Sequence, residues 1–113
     1  MTTKPIDDLT ESDLLECPIH HQIPVHEYSK TDHWYGYQTY CPRCKRLFDL
    51  IYGYGENRRG LYFHHLWQLA QINYGSKQGS ILCWNNNVEH VLKYADPIEV
   101  LKLDIMRTEY ENL

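Results

Sequence analysis

The sequence twice places a cysteine, a proline, one further residue and a second potential metal ligand in succession, as Cys17-Pro18-Ile19-His20 and Cys41-Pro42-Arg43-Cys44. A gap of two residues lets a tight turn bring both ligands of a segment to one side, and the proline presets the backbone for that turn. Three thiols and one imidazole form a standard ligand set for structural zinc. The sequence therefore predicts one structural Zn²⁺ ion bound by Cys17, His20, Cys41 and Cys44.

Other histidines leave the fourth ligand open. His21 is adjacent to His20, and His26 and His33 lie between the two cysteine segments, so each could take its place. The acidic first 16 residues contain no apolar segment of the secretory type. We therefore expect a cytoplasmic protein, in which reduced thiols bind a metal rather than pair as disulfides. Cys83, between Leu82 and Trp84, is predicted to be a small buried side chain.

Residues 14–54 resemble the zinc-ribbon class, whose knuckles of the rubredoxin type read Cys-Pro-x-Cys followed by glycine or another small residue. The ligand positions match, but His20 stands where that class has its second cysteine. His21 and Lys45 stand where glycine is common. The resemblance implies a zinc-ribbon fold and a metal. It implies no single function, because the class includes transcription factors, ribosomal proteins and adaptors.

The length and composition are those of one globular domain. The chain has 113 residues, of which 42% are apolar and 23% charged. No segment approaches the roughly 20 uninterrupted apolar residues of a membrane span, so we expect no membrane association. We predict a single domain over 1–113, with a polar lead-in at 1–16, a zinc-ribbon-like part at 17–54 and a mainly helical part at 61–113.

Local patterns predict the elements of an α+β fold. Aromatic and β-branched residues at 34–40 and 47–52 predict a hairpin whose turn is the second cysteine pair, with a helix from Cys44 as the competing interpretation. Thr10 is placed to cap one or two helical turns, with Asp13 three residues later, and a disordered tail is the competing interpretation of this segment. Helices are predicted at 61–73, at 88–95 after an asparagine cap, and from Asp96 to about Tyr110. The alternation at Leu101, Leu103 and Ile105 makes a strand the second interpretation of the last segment. The prediction is a zinc-ribbon-like β-hairpin region packed on a C-terminal half of two or three helices.

Charge and aromatic residues predict a binding face in the middle of the chain. The net charge is −4, with −5 in residues 1–33 and +3 in residues 34–63, where the aromatic residues are also densest. Tyrosine, tryptophan and arginine are enriched at protein interfaces. The predicted partner-binding residues are Trp34, Tyr35, Tyr37, Arg43, Lys45, Arg46, Tyr52, Tyr54, Arg58 and Arg59.

These residues fit three different functions. The leading prediction is a non-catalytic zinc module that binds a protein and serves as a small regulator or inhibitor of a larger assembly. The alternative is binding of single-stranded RNA or DNA, whose bases would stack on the aromatic residues. A weaker third is a metal-dependent nuclease of the His-Asn-His type, using His64 or His65, an asparagine of 85–87, and His90. Four protein ligands would leave no open metal position, so we expect no enzyme.

Overall fold

A three-stranded antiparallel sheet organises the computed structural model, which describes residues 4–53 and 61–95. The strands are β1 (Val25–Lys30), β2 (Tyr35–Tyr40) and β3 (Ile72–Tyr74), in the order β1-β2-β3. β1 and β2 form a hairpin, in whose turn the Thr31 amide donates to the Trp34 carbonyl at 2.6 Å. β3 pairs with the other side of β2. The central strand, β2, therefore ends directly before Cys41.

Three helices accompany the sheet: α1 (Pro42–Gly53), α2 (Leu61–Ala70) and α3 (Lys77–Tyr94). α3 packs on β2 and β3, and α1 packs against α2. The α+β class is therefore as predicted, with the hairpin packed on a C-terminal helix. In residues 4–53 and 61–95, no helix has the length and apolar character needed to cross a membrane.

α3 begins where a serine can cap it and where small residues allow a close approach to the sheet. Ser76 Oγ accepts a hydrogen bond from the Gly79 amide at 3.0 Å. A methyl group at Gly79 would overlap the ring of Tyr74. One turn of the helix therefore lies against β3, and Ser80 reaches Thr39 of β2 at 2.5 Å between hydroxyl oxygens.

The core lies between the sheet, the helices and the N-terminal segment. Three of the cysteines, Cys17, Cys41 and Cys44, have no exposed surface and belong to this core. The largest fully buried apolar side chains come from all three helices: Leu47, Leu66, Leu69, Ile81, Trp84, Val88 and Val91. The cysteine cluster is thus continuous with the packed interior.

The N-terminal segment, residues 4–16, is bound to α3. It forms two short 3-10 turns, Ile6–Asp8 and Glu11–Asp13, and buries Leu9 and Leu14. The side chain of Asn85 accepts from the Leu15 amide at 3.0 Å and donates to the Asp13 carbonyl at 2.9 Å. Trp84 Nε1 donates to the Leu15 carbonyl at 2.8 Å.

The predicted short turn beginning at Thr10 is confirmed, since the Thr10 amide donates to Asp13 Oδ2 at 2.8 Å.

The predicted hairpin across the second cysteine pair is wrong. Residues 34–40 do contain a strand, but its partners are β1 and β3, and residues 42–53 form α1. The competing interpretation, a helix from Cys44, agrees with the structure except that α1 begins two residues before Cys44. Pro42 suits the first position of a helix, and Leu47 is buried on the inner side of α1.

Two predicted boundaries in the C-terminal half are also wrong. α2 ends at Ala70 rather than 73, because Ile72–Tyr74 pair with β2 as β3. Residues 77–94 form one helix, so Asn85–Asn87 lie within it instead of capping a new one. The Asn85 side chain binds the N-terminal segment, and Asn87 Nδ2 donates to the Gln68 carbonyl at 3.0 Å. The predicted helix from Asp96 lies outside the described residues.

Candidate metal centre

A tight turn at residues 17–22 brings Cys17 and His20 together. The His21 amide donates to the Cys17 carbonyl at 2.8 Å, and the Cys17 amide donates to the Gln22 carbonyl at 2.8 Å. His21 has a φ of 54°, in the left-handed region that favours glycine. His21 therefore has the backbone conformation for which the zinc-ribbon class commonly uses glycine.

The second pair of ligands lies at the start of α1. Cys41 directly precedes the helix and Cys44 is in its first turn, where the Lys45 amide donates to the Cys41 carbonyl at 2.9 Å. The Cys41 amide donates to the Leu69 carbonyl of α2 at 2.9 Å. The position of Cys41 is therefore fixed by both α1 and α2.

The four side chains converge at distances that suit one metal ion. His20 Nδ1 lies 3.2 Å from Cys44 Sγ, 3.4 Å from Cys41 Sγ and 3.8 Å from Cys17 Sγ. Cys17 Sγ and Cys44 Sγ are 3.6 Å apart. Tetrahedral bonds of about 2.0–2.3 Å to zinc place neighbouring ligand atoms about 3.3–3.8 Å apart. Cys17, His20, Cys41 and Cys44 could therefore coordinate one metal ion.

The thiols are free, and their chemistry fits a cation. All four cysteines of the chain are unpaired, and 3.6 Å far exceeds a disulfide bond of about 2.05 Å. Burial, reinforced by the neighbouring thiols, raises the pKa of Cys44 well above its ordinary value. Hydrogen bonding to Cys41 raises the pKa of Cys17 to about 12, whereas bonds from Cys17 and Cys44 lower the pKa of Cys41. One thiolate is favoured, so ionisation of all three needs a positive charge among them.

The structure distinguishes His20 from the other histidines considered as ligands. His21 is exposed, and its Nδ1 lies 3.3 Å from Glu16 Oε1. His26 Nδ1 lies 2.8 Å from Thr39 Oγ1, and His33 is exposed. Of these four histidines, His20 is the one placed among the sulfur atoms.

The supporting contacts of the cluster had no signal in the sequence. Gln22 Nε2 donates to Cys41 Sγ at 3.3 Å, and Asn85 fixes the segment that leads into Cys17. Gln22 follows a turn and Asn85 lies within a helix, and polar residues in such positions are usually at the surface. The partners of these two residues are 19 and 70 or more positions away in the chain, so neighbouring residues do not reveal them.

The described members of the predicted partner face fall into two groups. Tyr35 and Tyr37 lie at the start of β2, directly after Trp34, and Tyr35 is 67% exposed. Arg43, Lys45 and Arg46 lie on α1, beyond the other end of β2. Five strand steps separate Tyr35 from Tyr40, or about 17 Å. Tyr52 is in α1, and Tyr54, Arg58 and Arg59 lie outside the described residues.

Tyrosines gather on one face of the sheet. Tyr28, Tyr37 and Tyr74 lie directly opposite one another on β1, β2 and β3, and Tyr35 is two residues from Tyr37 on the same face. Tyr28 is 57% exposed and Tyr74 is 49% exposed. The rings of Tyr28 and Tyr37 meet edge to face at 5.5 Å between centroids. These four residues are called the tyrosine face below.

Two residues considered for a nuclease, Asn85 and His90, do not converge. Asn85 is fully buried and bonded to the N-terminal segment. His90 Nδ1 lies 3.2 Å from Gln68 Oε1, and the His90 ring is tilted against the Tyr94 ring at 4.7 Å between centroids. Five residues apart on one helix, Asn85 and His90 point in different directions. His64 and His65 lie in α2.

Comparisons with known proteins found no match, so the function is argued from the geometry of the site. No family model, no curated protein and no solved structure matches the chain. The ligand cluster is consistent with a zinc-ribbon-like motif. Its second pair of ligands lies at the start of a helix, in place of the knuckle between strands that the sequence predicted.

Proposed function

We propose that this chain is a non-catalytic module in which one structural Zn²⁺ ion stabilises the fold, and that it acts by binding a protein partner. The proposal is carried by the convergence of three buried thiols on His20 Nδ1, at 3.2–3.8 Å. This donor set is a standard one for structural zinc. Four protein ligands complete a tetrahedral site and leave no position for a substrate or an activated water.

The tyrosine face supports binding to a protein. Tyrosine combines a large apolar ring with a hydroxyl group, and it is enriched among the residues that dominate interface energies. Three members, Tyr28, Tyr35 and Tyr74, are each about half or more exposed. A small acidic chain with such a face suits a regulator or inhibitor that docks on a larger assembly.

Capture of partners from the native host tests this part of the proposal. We expect the double variant Tyr35→Ala/Tyr74→Ala to lose the partners that the wild-type chain captures, while its zinc content is unchanged. Tyr94→Ala is the matched control, because Tyr94 is 58% exposed at the far end of α3. Equal capture by the double variant and the control would exclude the tyrosine face as the docking surface.

Single-stranded nucleic acid is the second candidate, favoured by the row of Tyr28, Tyr37 and Tyr74. Bases stack on aromatic side chains presented by a sheet, and neighbouring cations bind phosphates. Lys30 lies opposite Tyr35 on the same face, although the net charge of −4 opposes binding. Retention of an oligonucleotide that weakens steeply with added salt, and is lost in the Tyr35→Ala/Tyr74→Ala variant, would favour this candidate. No retention at low salt would exclude it.

A further inference from the structure

Gln22 contacts both halves of the candidate metal centre. Its carbonyl accepts from the Cys17 amide at 2.8 Å, and its side-chain Nε2 donates to Cys41 Sγ at 3.3 Å. Cys17 belongs to the first turn, whereas Cys41 is tied to α1 and α2. One residue thus connects ligands that are 24 positions apart in the chain.

The direction of the side-chain bond matches a charged sulfur. A thiolate can only accept hydrogen bonds, so the amide nitrogen of Gln22 has to face Cys41 Sγ. A hydrogen bond from an N–H group to an anionic acceptor stabilises its charge. Cys41 has no exposed surface, so water cannot supply this hydrogen bond in place of Gln22.

We propose that Gln22 is a positioning residue of the metal centre: its amide holds Cys41 Sγ in place and stabilises the negative charge that this sulfur brings to the ion. This inference rests on the proposed function. Groups that bond to metal ligands orient them, and loss of such a group typically costs about 10–100-fold in metal affinity.

Two variants test the proposal. Gln22→Leu removes the donor, and Gln22→Glu keeps the size of the side chain while replacing the donor with an acceptor. Gln71→Glu is the matched control, since Gln71 is exposed at the end of α2. Zinc affinity is measured by competition with a chromophoric chelator. We expect about 10–100-fold weaker binding for Gln22→Leu, a larger loss for Gln22→Glu, and wild-type affinity for the control.

The spectrum of the Co²⁺-substituted protein separates a direct effect on the sulfur from a general loss of folding. Without the amide, the Cys41 thiolate is richer in electrons, so its charge-transfer band to cobalt should move to longer wavelength in Gln22→Leu. If Gln22→Leu does not fold, the same shift to longer wavelength is expected in Gln22→Glu, which also lacks the donor.

Wild-type affinity with an unshifted band in both Gln22 variants would overturn the proposal. Weaker binding without a shift would also overturn it, because the loss would then come from folding alone. A wild-type chain that binds neither Zn²⁺ nor Co²⁺ would instead contradict the proposed function itself. The two failures are therefore distinguishable.

Discussion

His21 bears a local conformational cost that a glycine would remove. Its φ of 54° lies in the left-handed region, which costs an L-residue about 1–2 kcal/mol. Its imidazole is exposed and lies away from the sulfur atoms, beside Glu16. The residue is therefore required by the turn for its backbone conformation and not for its side chain.

We predict that His21→Gly raises the free energy of unfolding of the zinc-loaded protein by up to about 1 kcal/mol, since glycine avoids the strain but gains entropy when unfolded. His21→Val should lower it by about 1–2 kcal/mol, because β-branched residues tolerate this region poorly. Chemical denaturation at a fixed zinc concentration measures both. His33 is exposed and has no positive φ, so His33→Gly should destabilise slightly. A stable His21→Val and an unstable His21→Gly would contradict the account.

A pH dependence is expected from His26. Burial lowers its pKa, Glu11 opposes the shift and Lys77 adds to it. The unfolded chain then binds more protons than the folded chain below about pH 6.5. The contribution of neutral His26 is therefore fully present above that pH, and it is lost as pH falls through the folded-state pKa.

We predict that stability falls less steeply between about pH 6.5 and 5.5 in His26→Gln than in the wild type. Denaturation across this range measures the slopes. Acid effects on the cysteine cluster are common to both proteins, so their difference reports His26. Equal slopes would show that His26 has the same pKa in both states.

The choice of ligands shows what could be read at the level of residues. The spacing of the two cysteine segments was sufficient to predict that Cys17, His20, Cys41 and Cys44 form one cluster, because a tight turn brings residues three positions apart to one side. His20 was the predicted histidine and His21 stayed an alternative, since the side to which each imidazole points depends on the direction in which one strained residue turns the chain. The distant contact of His26 with Thr39 was equally hidden.

At the level of elements, Asn85 holds the N-terminal segment against α3. Asn85→Ala would leave the Leu15 amide and the Asp13 carbonyl without these partners. A buried polar group left unpaired costs about 1–3 kcal/mol, and these two groups are partly buried, so we predict a loss of about 1–3 kcal/mol in the free energy of unfolding.

Asn86→Ala is the matched control for this prediction. Asn86 is exposed on the same helix, so its replacement should change stability by less than about 0.5 kcal/mol. Thermal or urea denaturation compares the two variants. Equal stabilities would mean that the N-terminal segment contributes little to the fold.

Helices and strands marked by residue composition or capping residues could be predicted from the sequence. Elements that depend on contacts with residues far away in the chain could not. The strand at 34–40, the start of the helix at 61 and the Thr10 turn follow from composition and capping. Residues 47–52 fit both a strand and a helix pattern, and packing against α2 decided for the helix. The asparagines of α3 predicted a helix start because asparagine commonly caps helices. In the structure two of them bind residues far away in the chain, and no neighbouring residue indicates those hydrogen bonds.

In the whole molecule, the cysteine cluster joins segments that are distant in the chain. It connects the turn at 17–22 to the start of α1, and Cys41 also bonds to the end of α2. The three sulfur atoms are buried in the core, so thiolate charges there would lack compensation without a bound cation. The α+β class was predictable from the alternation of patterns. The route by which the cluster meets α2 was not, because it depends on tertiary packing.

Metal content and thermal stability, measured together on the purified chain, test the central claim most directly. We predict one zinc ion per chain in the wild type and in Cys83→Ser, whose thiol is outside the cluster, and none in Cys44→Ser. A strong chelator should lower the melting temperature of the first two proteins to that of the third. A wild-type chain that binds no stoichiometric metal and melts at the same temperature with and without the chelator would contradict the account.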